Sequence, residues 1–280
     1  MREISVKEVT KVVGQLFLDA NFLLPDDVSA KLKNAYKKEK NRRAKNIFEQ
    51  LLKNEKIARC EQIPLCQDTG VAIVFLDLGQ EVHIVGGNLI DGINEGVRQA
   101  YRDGYLRKSI VSDPLERKNT NDNTPAIVHT EIVSGDKLKI SVIAKGGGAE
   151  NMSKIKMFTP SATVQDIKSF VVETVKDAGA NACPPVVVGV GLGGTFDTVG
   201  FLAKRALIRK LGSKNPKKAY RKLESEILNQ INRTGIGVMS LGGKTTALAV
   251  LIEAVPTHIT SLPVAVNIQC HALRKGSATL

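Results

Sequence analysis

Apolar positions in the first sixty residues recur at helical spacing. Ile4, Val6, Val9, Val12, Val13, Leu16, Phe17 and Ala20 fall on one face of a helix. Pro25-Asp26-Asp27 supplies a first-turn proline and acidic residues for a second helix, and a third is predicted from Arg43 to Lys56. From Cys66 onward the period shifts to that of strands. The pattern predicts strands over 71–77 and 82–85, a helix from Asn88 to Arg102, and two strands within 125–144 joined as a hairpin at Ser134-Gly135-Asp136. Ser161 or Thr163 can cap a helix reaching Asp177, and Pro185 to Val190 reads as a buried strand. A helix from Thr198 to Lys210, another opening at Asn215-Pro216, and strands over 247–255 and 264–268 complete the pattern. The fold class expected is α/β: a helical N-terminal layer over residues 1–60, then a mixed α/β body with mixed sheets over 61–280. With no internal repeat and no linker, the whole chain reads as one domain.

At 280 residues, 42% apolar and 24% charged, the chain can bury a substantial core. No apolar run approaches the ~20 residues that span a bilayer, and the N-terminus lacks the apolar centre of a signal peptide. A soluble, cytoplasmic protein without a membrane partner is expected. The net charge of +12 is concentrated in two helix-like runs, Lys37–Lys45 and Lys214–Lys222. Such runs serve as solvated faces, nucleic-acid footprints or fields that attract anions. Only 12 aromatic residues occur, and Tyr220 is the single one inside those runs, which weighs against a base-stacking surface.

Four cysteines are too few for a disulfide scaffold in a chain of this length, and reduced thiols are expected. Cys60 falls in a helical stretch and reads as a packing residue. The other three stand at strand ends in unusual company: Cys66-Gln67-Asp68-Thr69-Gly70, Asn181-Ala182-Cys183-Pro184-Pro185, and Asn267-Ile268-Gln269-Cys270-His271. Spacing alone leaves convergent metal ligands and buried structural thiols both open, and favours the latter. His83 and His129 lie inside strand patterns and read as structural. His258, in a turn rich in Thr, Ser and Pro, is placed for a site rim, whereas His271 is either a ligand or an ordinary neighbour.

Two glycine patterns imitate nucleotide sites. Gly189-Val190-Gly191-Leu192-Gly193-Gly194 satisfies the dinucleotide fingerprint, but the region about 20 residues on, Arg209-Lys210-Leu211, is basic where an acidic ribose partner belongs. Gly237–Thr245 approaches the phosphate loop but carries one residue too many and leads into a strand-like run where a helix is needed. A pocket for a smaller anion stays open there.

Four ordered motifs together resemble the class I, iron-sulfur-dependent fumarate hydratases and tartrate dehydratases. They are Cys66-Gln67-Asp68-Thr69-Gly70; Lys145-Gly146-Gly147-Gly148-Ala149-Glu150-Asn151; Cys183-Pro184-Pro185 with its glycine run; and Pro256-Thr257-His258 through Asn267-Ile268-Gln269-Cys270-His271. The resemblance implies a 4Fe-4S cluster on Cys66, Cys183 and Cys270, with one iron left open as a Lewis acid for a small dicarboxylate. It implies Asp68 and His258 as acid/base candidates, possible members of one dyad, and Gln67, Arg107 and the backbone of Gly147 as substrate contacts. Because the chain stops shortly after the third cysteine, it resembles the alpha subunit of a two-subunit enzyme. A separate beta subunit is implied, in a hetero-oligomer with two copies of each. The expected reaction is hydration of fumarate to malate and its reverse. Tartrate dehydration is the alternative, and a basic metal- or cluster-containing nucleic-acid-binding protein is the alternative from another class.

Overall fold

The computed structural model describes residues 2–280. In chain order the elements are β1 (Arg2–Ser5), α1 (Val6–Phe22), α2 (Asp26–Lys38), α3 (Arg42–Glu61), β2 (Val71–Gly79), β3 (Val82–Val85), α4 (Leu89–Asp103), β4 (Ile127–Val133), β5 (Leu138–Lys145) and the short α5 (Gly147–Glu150). Then follow β6 (Lys154–Phe158), α6 (Val164–Ala178), β7 (Val186–Gly194), α7 (Phe196–Ala206), α8 (Lys218–Asn232), β8 (Ala247–Thr257), β9 (Leu262–Gln269) and β10 (Lys275–Thr279). The α/β class with mixed sheets is as the sequence pattern predicts. The chain divides into two interleaved compact units: Met1–Pro25, Asn54–Gly147 and Leu273–Leu280 form one, and Asp26–Lys53 with Gly148–Ala272 form the other. The helices of the first sixty residues are therefore shared between the units, with α1 in the first and α2 in the second.

In the first unit, β2 runs at the interior of a four-stranded sheet of order β10-β5-β2-β4. Its Val-Ala-Ile-Val-Phe-Leu run is buried on both faces, which an edge strand cannot provide. This centre displaces the expected hairpin. β4 and β5 do not pair with each other; β4 pairs parallel to β2 and β5 antiparallel to it, on opposite sides. The Ser134-Gly135-Asp136 turn passes over the end of β2, where Glu81 N–H donates to Gly135 O at 3.1 Å. The turn forms where the sequence predicts it, but the apolar strand β2 lies between the two strands that the turn connects. One sheet face is covered by α1 and α4, and Val9, Val13, Phe17, Val74, Leu76, Ile93, Val97, Ile140 and Val142 form the core. Ser5 and Asn88 cap the two helices through their side-chain oxygens.

The second unit is built on the sheet β6-β9-β7-β8, with β7 parallel to β8 and antiparallel to β9. Alternate residues of β7 do different work. Val186, Val188 and Val190 pack with Ile167, Val171 and Val175 of α6 and Ile227 and Ile231 of α8. Gly189 and Gly191 face α7 instead, and a Cβ on them would lie 2.0 Å from Ala203 O and 2.2 Å from Val199 O. The glycines of the dinucleotide-like pattern thus let a helix lie directly on the strand. The phosphate-loop-like stretch has an equally internal explanation. Glu39 accepts hydrogen bonds from the N–H groups of Lys244, Lys40 and Asn41 at 2.7, 2.9 and 2.9 Å, so the anion at this loop is the chain's own carboxylate.

Three short strands were not predicted: β1, which the helical spacing of Ile4 and Val6 hides, and β6 and β10 at sheet edges, where β6 is too short to stand out although it exposes Ile155 and Met157, and β10 carries only small and polar residues. No helix among the described residues is long and apolar enough to cross a membrane.

Candidate active site

In the first unit the site is the loop that leads into β2. Leu65 is buried and anchored at both backbone groups: its N–H donates to Asn21 O at 2.9 Å and its carbonyl accepts from Asn54 Nδ2 at 2.9 Å. Cys66 follows, half-buried, with its Sγ 3.3 Å from Gln67 Oε1. Asp68 is half-buried and held by two amides, Gly70 N–H to Oδ1 at 3.0 Å and Gly147 N–H to Oδ2 at 2.8 Å. Each carboxylate oxygen keeps a further lone pair for a ligand or a proton.

The next two residues tie the loop down. Thr69 Oγ1 donates to the carbonyl of Arg107 at 2.8 Å, while Tyr101 Oη donates to the carbonyls of Thr69 and Gly70 at 2.7 and 2.9 Å. Burial holds the Tyr101 phenol well above its ordinary pKa, so it stays protonated as a donor. Asn123, fully buried, donates to Gly70 O at 3.2 Å and accepts from Ser109 N–H at 2.7 Å. Gly70 itself has φ +83°, and a Cβ there would stand 2.7 Å from Lys145 N, so only glycine lets the loop meet β5. Five predicted site residues, Cys66, Gln67, Asp68, Arg107 and Gly147, therefore belong to one set of mutually hydrogen-bonded loops, with Gln67, Arg107 and Gly147 exposed.

In the second unit, Cys183 and Cys270 share one end of the sheet. β7 begins three residues after Cys183, β9 ends one residue before Cys270, and Val187 pairs with Gln269. His271 Nδ1 lies 3.2 Å from Cys183 O and links the two loops directly. Cys183 takes left-handed backbone angles, φ 50° and ψ 63°, which are uncommon for a non-glycine residue. Upstream of Cys270, Asn267 donates to Glu150 Oε2 at 2.9 Å and Ser153 Oγ at 3.1 Å, which fixes the polar end of the Gly146–Ser153 motif onto β9.

His258 sits elsewhere in the same unit. It follows β8 and precedes β9, at the end of the sheet opposite to Cys183 and Cys270. The eight residues of β9 lie between them, roughly 26 Å of strand. Its Nδ1 accepts from Thr260 N–H at 3.2 Å and is 2.8 Å from Thr260 Oγ1, which places the proton of a neutral ring on Nε2.

A sequence pattern for the family described as fumarate hydratase (Fumerase) matches residues 10–279. The chain belongs to this family. A protein of Methanocaldococcus jannaschii that carries the provisional name L(+)-tartrate dehydratase subunit alpha is 44% identical over 275 residues, 96% of each chain. Proteins named L(+)-tartrate dehydratase subunit alpha from Escherichia coli K12 and Shigella boydii serotype 4 are each 31% identical over 276 residues, 98% of this chain and 91% of theirs.

The Fumerase-family chain offers a donor set suited to iron and sulfide. None of its four cysteines is in a disulfide, and Cys66, Cys183 and Cys270 are half-buried or exposed rather than packed in a core. The reading of these three as buried structural thiols does not survive that exposure. Soft thiolates on irregular backbone at strand ends fit an iron-sulfur group. Within neither unit, among the described residues, do three or more His, Cys, Asp or Glu side chains form a metal-binding group; the first unit carries one of the thiols and the second carries two. Cys60 is exposed on α3, not packed as its helical context implied, because the buried face of that helix is formed by Ala44, Phe48 and Ala58. His129 stacks on Phe75 with ring centroids 5.3 Å apart, a structural role as expected.

The polar groups beneath the Cys66 loop escaped sequence reasoning. Tyr101 reads as one more apolar position of α4, and Arg274 as half of a basic pair outside every predicted element. Neither Asn21 nor Asn123 lies in a motif.

Proposed function

We propose that the chain is the alpha subunit of an iron-sulfur hydro-lyase that reversibly removes water from a four-carbon hydroxy-dicarboxylate. The observation that carries this reading is the Asp68 loop: a carboxylate oriented by two backbone amides, two residues from a half-buried thiol, beside the Arg107 segment. When bound by the thiolates of Cys66, Cys183 and Cys270, a 4Fe-4S cluster would supply a Lewis-acidic iron that makes the substrate's hydroxyl a better leaving group. The chain's residues do the rest. Asp68 takes the proton from the carbon adjacent to the one that loses hydroxide, and returns it in the hydration direction. Arg107 receives the distal carboxylate through its planar guanidinium, and Gln67 and the backbone at Gly147 orient the substrate. Of the two acid/base candidates the geometry supports Asp68, since His258 lies a strand's length from Cys183 and Cys270.

The motifs fit fumarate and malate as well as tartrate, and the family description favours fumarate and malate. Tartrate is a second reading, favoured by the names of the relatives. Those names also support a companion beta subunit, needed to complete the substrate site. The test is replacement of each cysteine by serine after anaerobic purification, with iron and sulfide counted. Cys66→Ser, Cys183→Ser and Cys270→Ser should each lose most of the iron while Cys60→Ser keeps it. Equal loss from all four, or from none, contradicts the assignment.

A further inference from the structure

Arg274 is only 1% exposed, a guanidinium sealed inside the first unit at the start of β10. A buried guanidinium cannot shed its proton and is costly to keep, so its contacts indicate what it is kept for. Its backbone carbonyl accepts from Ala144 N–H at 3.0 Å, which locks it onto β5 just before the glycine motif. Its Nη1 donates to the carbonyl of Asp68 and reaches Asn21 Oδ1 at 3.5 Å. Asn21 is itself fully buried and accepts the Leu65 N–H through its own carbonyl. Arg274 and Asn21 thus grip the two ends of the segment that presents Cys66 and Gln67.

Gly146 completes the arrangement. A Cβ at that position would lie 3.1 Å from Asp68 Oδ2 and 3.3 Å from Arg274 Nη2, so carboxylate and guanidinium both border the same bare stretch of backbone.

We propose that Arg274 is a positioning residue, which by holding the Asp68 carbonyl and Asn21 together sets the direction of the Asp68 carboxylate for proton transfer. The inference rests on the acid/base role proposed for Asp68. Lysine at this position keeps the charge but replaces the planar guanidinium, whose Nη1 reaches both the Asp68 carbonyl and Asn21 Oδ1, by a compact ammonium on a flexible stem. Gly146→Ala disturbs the same pair from the other side and leaves the buried charge in place.

The test compares Arg274→Lys, Gly146→Ala, Asp68→Asn and the double variant Asp68→Asn/Arg274→Lys in the iron-loaded complex with its partner chain. Turnover, KM, the deuterium isotope effect for substrate labelled at the carbon that loses its proton, iron content and melting temperature are measured together. Misplacing a reacting group predicts a ~100-fold fall in kcat for Arg274→Lys and Gly146→Ala with KM within about 3-fold. The isotope effect should rise, iron should be unchanged, and Arg274→Lys should add little to the loss in Asp68→Asn. Loss of iron or of melting temperature in step with activity in both variants overturns the proposal in favour of a purely structural role, and multiplicative losses in the double variant overturn it as well. Where Arg274→Lys fails to fold, Gly146→Ala decides by the same criteria. A fully active Asp68→Asn would remove the acid/base reading beneath it, an outcome distinct from failure of the Arg274 assignment alone.

Discussion

The run Cys66 to Gly70 was legible because four different reactive groups in consecutive positions have no use in a core. What the sequence hid was the layer that orients them: Tyr101, Asn123 and Arg274 lie far apart in the chain and meet only once the sheet has formed. Asp122 belongs to this hidden layer, since it flanks Asn123 and accepts from Thr124 N–H at 3.0 Å, Thr124 Oγ1 at 2.8 Å and Arg98 Nε at 3.0 Å. Burial pushes its pKa up, but the bonds from Thr124 and Arg98 outweigh burial and hold it down at about 2, against an ordinary 3.8. A carboxylate whose folded pKa is depressed stabilises the fold above its unfolded pKa and loses that contribution as pH falls through the folded value. Asp122→Asn should therefore cost about 2 kcal/mol at neutral pH, and the stability lost by the wild type from about pH 4 down to pH 2 should be correspondingly smaller in the variant. Denaturant midpoints across that pH range check both statements; equal slopes for the two proteins would refute them.

At the scale of elements, the apolar period located most helices and the principal strands, and it failed where pairing depends on distant partners. Nothing local to residues 125–144 reveals that β2 inserts between β4 and β5. Conversely, a fingerprint that looks like chemistry proves to be packing: the glycines of β7 are fixed by α7, not by a pyrophosphate. Gly191→Ala would drive a methyl into Val199 O, and overpacking of this kind costs about 3 kcal/mol. A matching drop in the denaturant midpoint, with iron content preserved in the folded fraction, is the expected result; an unperturbed midpoint would show that α7 does not rest on this strand as described.

At the scale of the whole molecule, the sequence shows no linker because the two units are interleaved, with the chain passing between them after Pro25, Lys53, Gly147 and Ala272. Two of these boundaries fall in loops and two inside the helices α3 and α5, so no shift in composition marks them. Family membership over nearly the full chain then fixes the class of protein more firmly than any motif alone. An iron left without a protein ligand should be lost on exposure to oxygen, so activity should decay in air and return on anaerobic treatment with ferrous iron and thiol; full activity after long aeration would contradict an open-iron mechanism. A nucleic-acid binder of net charge +12 would instead show polynucleotide affinity that falls steeply with salt.

The most direct test is anaerobic co-purification of the chain with its candidate beta subunit, followed by assays on fumarate, malate and L(+)-tartrate alongside iron and sulfide counts. The account predicts turnover of a dicarboxylate by the complex, proportional to bound iron and absent from either chain alone. An iron-loaded, folded complex that turns over none of these acids would contradict it.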